Sequence, residues 1–112
     1  FWEYRGRALE GQGDVTGAID SFSRMGTYPA GSDVPMRLGQ LLLQSGQIDR
    51  ARTVFEVLVE REPSLASAWN SLGVSSALTG DVEQARAAFA QAVTLDPENS
   101  AYQKNLQRIS QP

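Results

Sequence analysis

A chain of 112 residues with 41% apolar side chains and a formal charge of -3 has the make-up of one small globular domain. It holds neither cysteine nor histidine, which excludes disulfides, thiolate zinc sites, cysteine nucleophiles and the commonest general base and metal ligand. The charge is spread without a basic run, which argues against nucleic acid as a partner, and no apolar run nears the roughly 18 residues of a membrane span.

The expected elements come in a repeating order. The first stretch, about residues 1–31, carries Trp2, Gly6, Leu9, Gly13, Asp14, Ala18, Phe22 and Met25 at helical spacings, with Asp14 placed to cap a second helix. Arg5 stands where an apolar residue is expected, and Tyr28-Pro29-Ala30-Gly31 closes the stretch. About residues 32–65 show the same order in Leu38, Gly39, Leu42, Gly46, Ala51, Phe55, Leu58 and Pro63. Pro35 falls in the first turn of its first helix, where a missing N–H is tolerated.

The third stretch, about residues 66–99, is the most regular. Trp69, Leu72, Gly73 and Ser76 lie on one helical stripe, and Gly80 is suited to the left-handed residue after a helix. Asp81, with Gln84 three residues on, reads as a capping box for a second helix whose stripe is Val82, Ala85, Ala88, Phe89, Ala92 and Val93. Pro97 ends that helix by disfavouring a helical Asp96. Residues 100–109 form a last helix with Tyr102, Leu106 and Ile109 on one side, as a terminal cap.

Leu38-Gly39, Gly46, Ala51, Phe55 and Pro63 thus recur 34 residues later as Leu72-Gly73, Gly80, Ala85, Phe89 and Pro97. The pattern Trp69-x2-Leu72-Gly73, Gly80, Ala85, Phe89, Ala92, Leu95-Asp96-Pro97 resembles the tetratricopeptide repeat. The resemblance implies an all-α fold: a right-handed α-solenoid of three helix-turn-helix repeats plus a C-terminal capping helix, in one domain over residues 1–112. Two departures stand out: Leu42 and Ser76 occupy positions where the family often has tyrosine. The frayed first repeat and the opening Phe1 suggest a piece of a longer chain. Phe22, Phe55 and Phe89 are expected to pack opposite Gly6, Gly39 and Gly73, with Trp69 in the core.

In that family the first helices of successive repeats line a groove for a peptide or partner segment. Carried over by position, the groove residues are Arg7, with Glu3 and Glu10 beside it, then Met36, Gln40 and Leu43, then Asn70, Val74 and Leu78, with Lys104 added by the last helix. A well-known subclass grips two carboxylates through a clamp of Lys, Asn and Arg; the matching positions here read Glu3, Arg7, Met36, Gln40, Asn70 and Val74, so the clamp is missing. Grouped Arg7, Lys104 and Arg108 offer an alternative site for an acidic tail.

The function read from these residues is a non-enzymatic protein-interaction module, without cofactor, metal or catalytic residues, in a bacterial assembly or secretion protein. Nine arginines against one lysine carry the bacterial reading, and the chain is expected to be soluble, in cytoplasm or periplasm. The alternative is homo-oligomerisation, with molecules stacked end to end through the incomplete first repeat around Trp2, Leu9 and Phe22. Gly11-x-Gly13 is no phosphate loop, since no strand precedes it and no Lys-Ser/Thr follows.

Overall fold

A computed structural model describes residues 1–111; Pro112, the last residue of the expected domain, lies outside the described residues. The described residues form seven α-helices and no strand: α1 (Trp2–Gly11), α2 (Val15–Ser23), α3 (Val34–Gln44), α4 (Ile48–Arg61), α5 (Ala66–Leu78), α6 (Val82–Leu95) and α7 (Ser100–Ser110). They fall into two compact units, Phe1–Val54 and Phe55–Pro112, with the boundary inside α4.

In the first unit α1 packs on α2, and α2 on α3. The close approach of α1 and α2 depends on Gly6, because a Cβ there would lie 2.5 Å from the Phe22 ring. Phe22 is fully buried, with Ala18, Val34, Leu42 and Ala51. Gly13 turns the chain at φ +81°, and the Asp14 carboxylate then accepts from the Gly17 N–H at 2.9 Å, capping α2.

One helix is shorter than the period implies. The helices α4 and α6 run six residues past Phe55 and Phe89, to Arg61 and Leu95, whereas α2 stops at Ser23, one residue past Phe22. Met25, expected on the helical stripe, stands instead in a half-buried turn. Gly26, at φ +75°, breaks the helix, and the Tyr28 hydroxyl donates to the Phe22 carbonyl at 3.0 Å, satisfying one of the freed acceptors.

In the second unit α5 packs on α6, and α6 on α7. The same device recurs: a Cβ on Gly73 would lie 2.5 Å from the Phe89 ring. Phe55, Leu58, Ala68, Leu72, Ala85 and Ala92 complete its buried set. Gly80 turns at φ +87°, and the Asp81 carboxylate accepts from the Gln84 N–H at 3.1 Å. The Gln84 side chain is engaged elsewhere: its Oε1 accepts from Ser76 Oγ at 2.6 Å and its Nε2 donates to Glu56 at 3.1 Å. The hydroxyl of Ser76, fully buried at a position often held by tyrosine, is thereby satisfied.

One expectation needs correction. Trp69 is half-buried rather than core, with its indole N–H donating to the Pro63 carbonyl at 2.8 Å. The helix α7, capped by Asn99 through the Ala101 and Tyr102 N–H groups, has no buried residue, and Tyr102, Leu106 and Ile109 stay half-buried.

Candidate functional site

The candidate residues divide between the units. In the first, Met36 and Leu43 are half-buried and Gln40 is exposed, all on α3. Arg7 on α1 is not an open cation. Its guanidinium meets Asp33 at 2.6 Å and Glu3 at 3.2 Å, while Arg37 meets the same Asp33 at 3.0 Å and Glu10 at 2.9 Å. Two arginines and three carboxylates thus join α1 to the start of α3. Asp33 sits at the N-cap of α3 yet makes no cap hydrogen bond; the Val34 N–H is taken by Ser32 Oγ at 3.2 Å. The Arg7 and Arg37 guanidiniums hold the Asp33 carboxyl at about 2, below the usual carboxylate range.

A depressed folded pKa contributes stability that is present above the unfolded value of 3.8 and is lost as pH falls through about 2. Because the Asp33 side chain is 58% exposed, solvent screening holds that contribution to about 1 kcal/mol or less. Asp33→Asn is therefore expected to leave the melting temperature at pH 2 almost unchanged and to lower it slightly at pH 7. Parallel melts at the two pH values check this, and an equal loss at both would remove the ionic explanation.

In the second unit Val74 is half-buried and Leu78 is 63% exposed. They border an open cleft of about 260 Å³ whose other walls include Phe89, Asn105, Arg108 and Ile109. Asn70 is tied to α7, accepting from Asn105 Nδ2 at 2.9 Å. Neither Lys104 nor Arg108 has an ion-pair partner among the described residues. The sequence pattern singled out Val74 and Leu78 for one groove but missed Asn105, and it missed the linking role of Asp33 and Arg37. The pairs Glu3–Arg7 and Asp33–Arg37 are four residues apart and legible as helix pairs; their connection across two helices is not.

The core stripes at a 34-residue period, the glycine approaches and the tight turns are those of one repeating helix pair. A family model described as tetratricopeptide repeat matches residues 36–100. The chain belongs to the tetratricopeptide repeat family. Peroxisome biogenesis protein 5 of Arabidopsis thaliana is 37% identical to this tetratricopeptide repeat chain over 87 residues, which make up 78% of the chain and 12% of the plant protein. Among solved structures, MamA from Desulfovibrio magneticus RS-1 superposes with a TM-score of 0.86 at 29% identity, covering 96% of this chain and 62% of that one. The second repeat domain of human RPAP3, solved in complex with the HSP70 peptide SGPTIEEVD, superposes at 0.86 over 99% of this chain and 93% of its own, and at 19% identity shows the fold alone. The fold class is therefore an all-α solenoid of helix-turn-helix repeats. Among the described residues no helix is long and apolar enough to cross a membrane.

Proposed function

We propose that this tetratricopeptide repeat chain is a non-catalytic module that binds a segment of another protein on its first-helix faces, the three repeats and α7 serving as one domain. The observation that carries the reading is the open cleft at Val74 and Leu78, apolar within and flanked by the unpaired Arg108. Leu78 is a large apolar side chain left mostly in water. Met36, Gln40 and Leu43 are the candidate recognition residues of the first unit, and Asn70 and Lys104 add polar groups in the second.

The segment we envisage differs from the acidic peptide SGPTIEEVD of the RPAP3 complex. Arg7 already holds Asp33 and Glu3, and Met36 and Gln40 offer no cation. An apolar segment with a single acidic residue for Lys104 or Arg108 suits the side chains better. The likeness to a Desulfovibrio protein and the excess of arginine over lysine support a bacterial assembly or secretion protein as the setting.

Peptides selected from a displayed random library are expected to share an apolar motif and to lose binding to the double variant Met36→Glu, Val74→Glu. Binding to a Glu83→Lys control on α6 should persist. Selected peptides that bind all three proteins equally would refute the assignment. A second reading, self-association, draws on α1: Phe1 and Tyr4 are 84% and 81% exposed. Phe22 cannot belong to such an interface, since it is buried against Gly6. Light scattering over a dilution series would show a mass that falls with concentration; a constant monomer mass would eliminate this reading.

A further inference from the structure

The early end of α2 leaves space beside it in the first unit. By the repeat offset, Met25 and Gly26 correspond to Leu58 and Val59 of α4, both buried in their own setting at 2% and 6% exposure. Gly26 has no side chain and is exposed, and the helix that would carry the pair has already stopped. An open cleft of about 310 Å³ is left beside this truncated end, with Leu38, Leu42 and Val54 among its walls and Tyr28 and Arg50 at its edge. A second opening of about 220 Å³, bordered by Ile19, Asp20 and Gln47, shares Ser23 and Arg50 with it, so the two adjoin.

The charge at the junction is uncompensated. Arg7, Arg24 and Arg37 in this unit each hold a carboxylate. Arg50 is exposed and engages only the neutral Gln47 amide oxygen, at 2.5 Å. Asp20, the acid bordering the adjoining opening, is bound to Arg24 at 3.0 Å. The Tyr28 hydroxyl donates to the Phe22 carbonyl and the Thr53 hydroxyl to the Asp49 carbonyl, so two of the three hydroxyls lining the cleft are turned to backbone, and Ser23 supplies the third. What the cleft presents is the half-buried Val54, with the edges of the buried Leu38 and Leu42 behind it, beside one cation.

We propose that this cleft is a second docking site, separate from the first-helix faces, for a partner segment that places an aliphatic side chain against Val54, over the buried Leu38 and Leu42, and a carboxylate on Arg50. Charge complementarity selects the occupant: a carboxylate on Arg50 forms a charge-assisted pair that the free chain lacks. A basic segment would meet only repulsion, and a purely apolar one would leave the guanidinium unmatched at the rim.

The probe is a short synthetic peptide of alternating leucine and glutamate, titrated into isotopically labelled protein and followed by amide shifts. Saturable shifts are expected at Ser23, Tyr28, Thr53 and Val54. Arg50→Glu, an exposed position whose fold is checked by circular dichroism, should weaken binding at least about tenfold, and Arg50→Lys should recover part of it. Copies of the probe with lysine for glutamate, or serine for leucine, should not saturate. The proposal is overturned if the leucine–glutamate probe gives no saturable shifts, if it binds Arg50→Glu with unchanged affinity, or if its shifts fall at Val74 and Leu78 instead. That last pattern would leave the first-helix reading standing, whereas loss of binding in Met36→Glu, Val74→Glu leaves the Arg50 cleft untouched, so the two sites fail separately.

Discussion

Phe55→Ala is expected to lower stability by about 3–5 kcal/mol, more than any polar substitution on the chain. The side chain has no exposed surface, and its truncation removes a large apolar group and leaves a void that rigid helices fill only in part. For a chain of 112 residues that loss corresponds to a fall in melting temperature of roughly 10–20 °C. An exposed polar change such as Glu83→Ala should move the melt by less than about 0.5 kcal/mol in equivalent stability. Phe55→Leu, which keeps most of the volume, should lie between the two. A Phe55→Ala melt within a degree or two of the parent would show that the 34-residue register misplaces the core.

Gly73→Ala should destabilise although alanine is the better helix former. Two effects of opposite sign compete. Replacing a mid-helix glycine gains about 1 kcal/mol of helix propensity. The new methyl would however sit 2.5 Å from two carbons of the Phe89 ring, closer than packed carbons can approach. Relieving that overlap requires α5 and α6 to separate or the ring to leave its position, and overpacking of this kind typically costs about 1–3 kcal/mol. The net result is a loss. Gly11→Ala provides the contrast: nothing lies within 4 Å of a Cβ there and its backbone is helical, so the propensity gain should appear alone. Combining Gly73→Ala with Phe89→Leu should return part of the loss, giving a measurable coupling between the two positions. Additive effects would mean that the glycine and the ring do not share one space.

Much of the scaffold was legible because its devices are local. Gly80 before Asp81, Asp14 three residues before Gly17, and Pro97 after Asp96 each determine a helix boundary within a few residues, and all three act as the spacing implies. The pairing of Gly6 with Phe22 and of Gly73 with Phe89 follows from the period, since a ring can enter only where a neighbouring helix lacks a side chain. The short α2 was less visible. The break depends on Gly26 taking a left-handed conformation and on the Tyr28 hydroxyl reaching back to Phe22, a contact that no periodicity encodes.

The candidate site was legible in outline only. Position in the repeat placed Val74 and Leu78 beside an open apolar cleft, yet the partners of the polar residues come from tertiary arrangement. Arg7 finds Asp33 26 residues away, and Asn70 finds Asn105 35 residues away. The first link neutralises a cation that sequence reasoning offered to a ligand. The second ties α7 to α5 next to the cleft. Charge counting along the chain cannot foresee either, because both depend on which side of each helix faces its neighbour.

Stability residues and recognition residues are expected to be largely separate sets along the chain, with Phe89, buried but also bordering the cleft, as the shared member. Amide-shift mapping of the protein with a library-selected peptide tests it most directly. The largest shifts are expected along α3 and α5, at Met36, Gln40, Asn70, Val74 and Leu78, while the exposed start of α6, at Val82 and Glu83, stays still. Shifts confined to α6, or spread evenly over the core positions Phe22, Phe55 and Phe89, would contradict the claim.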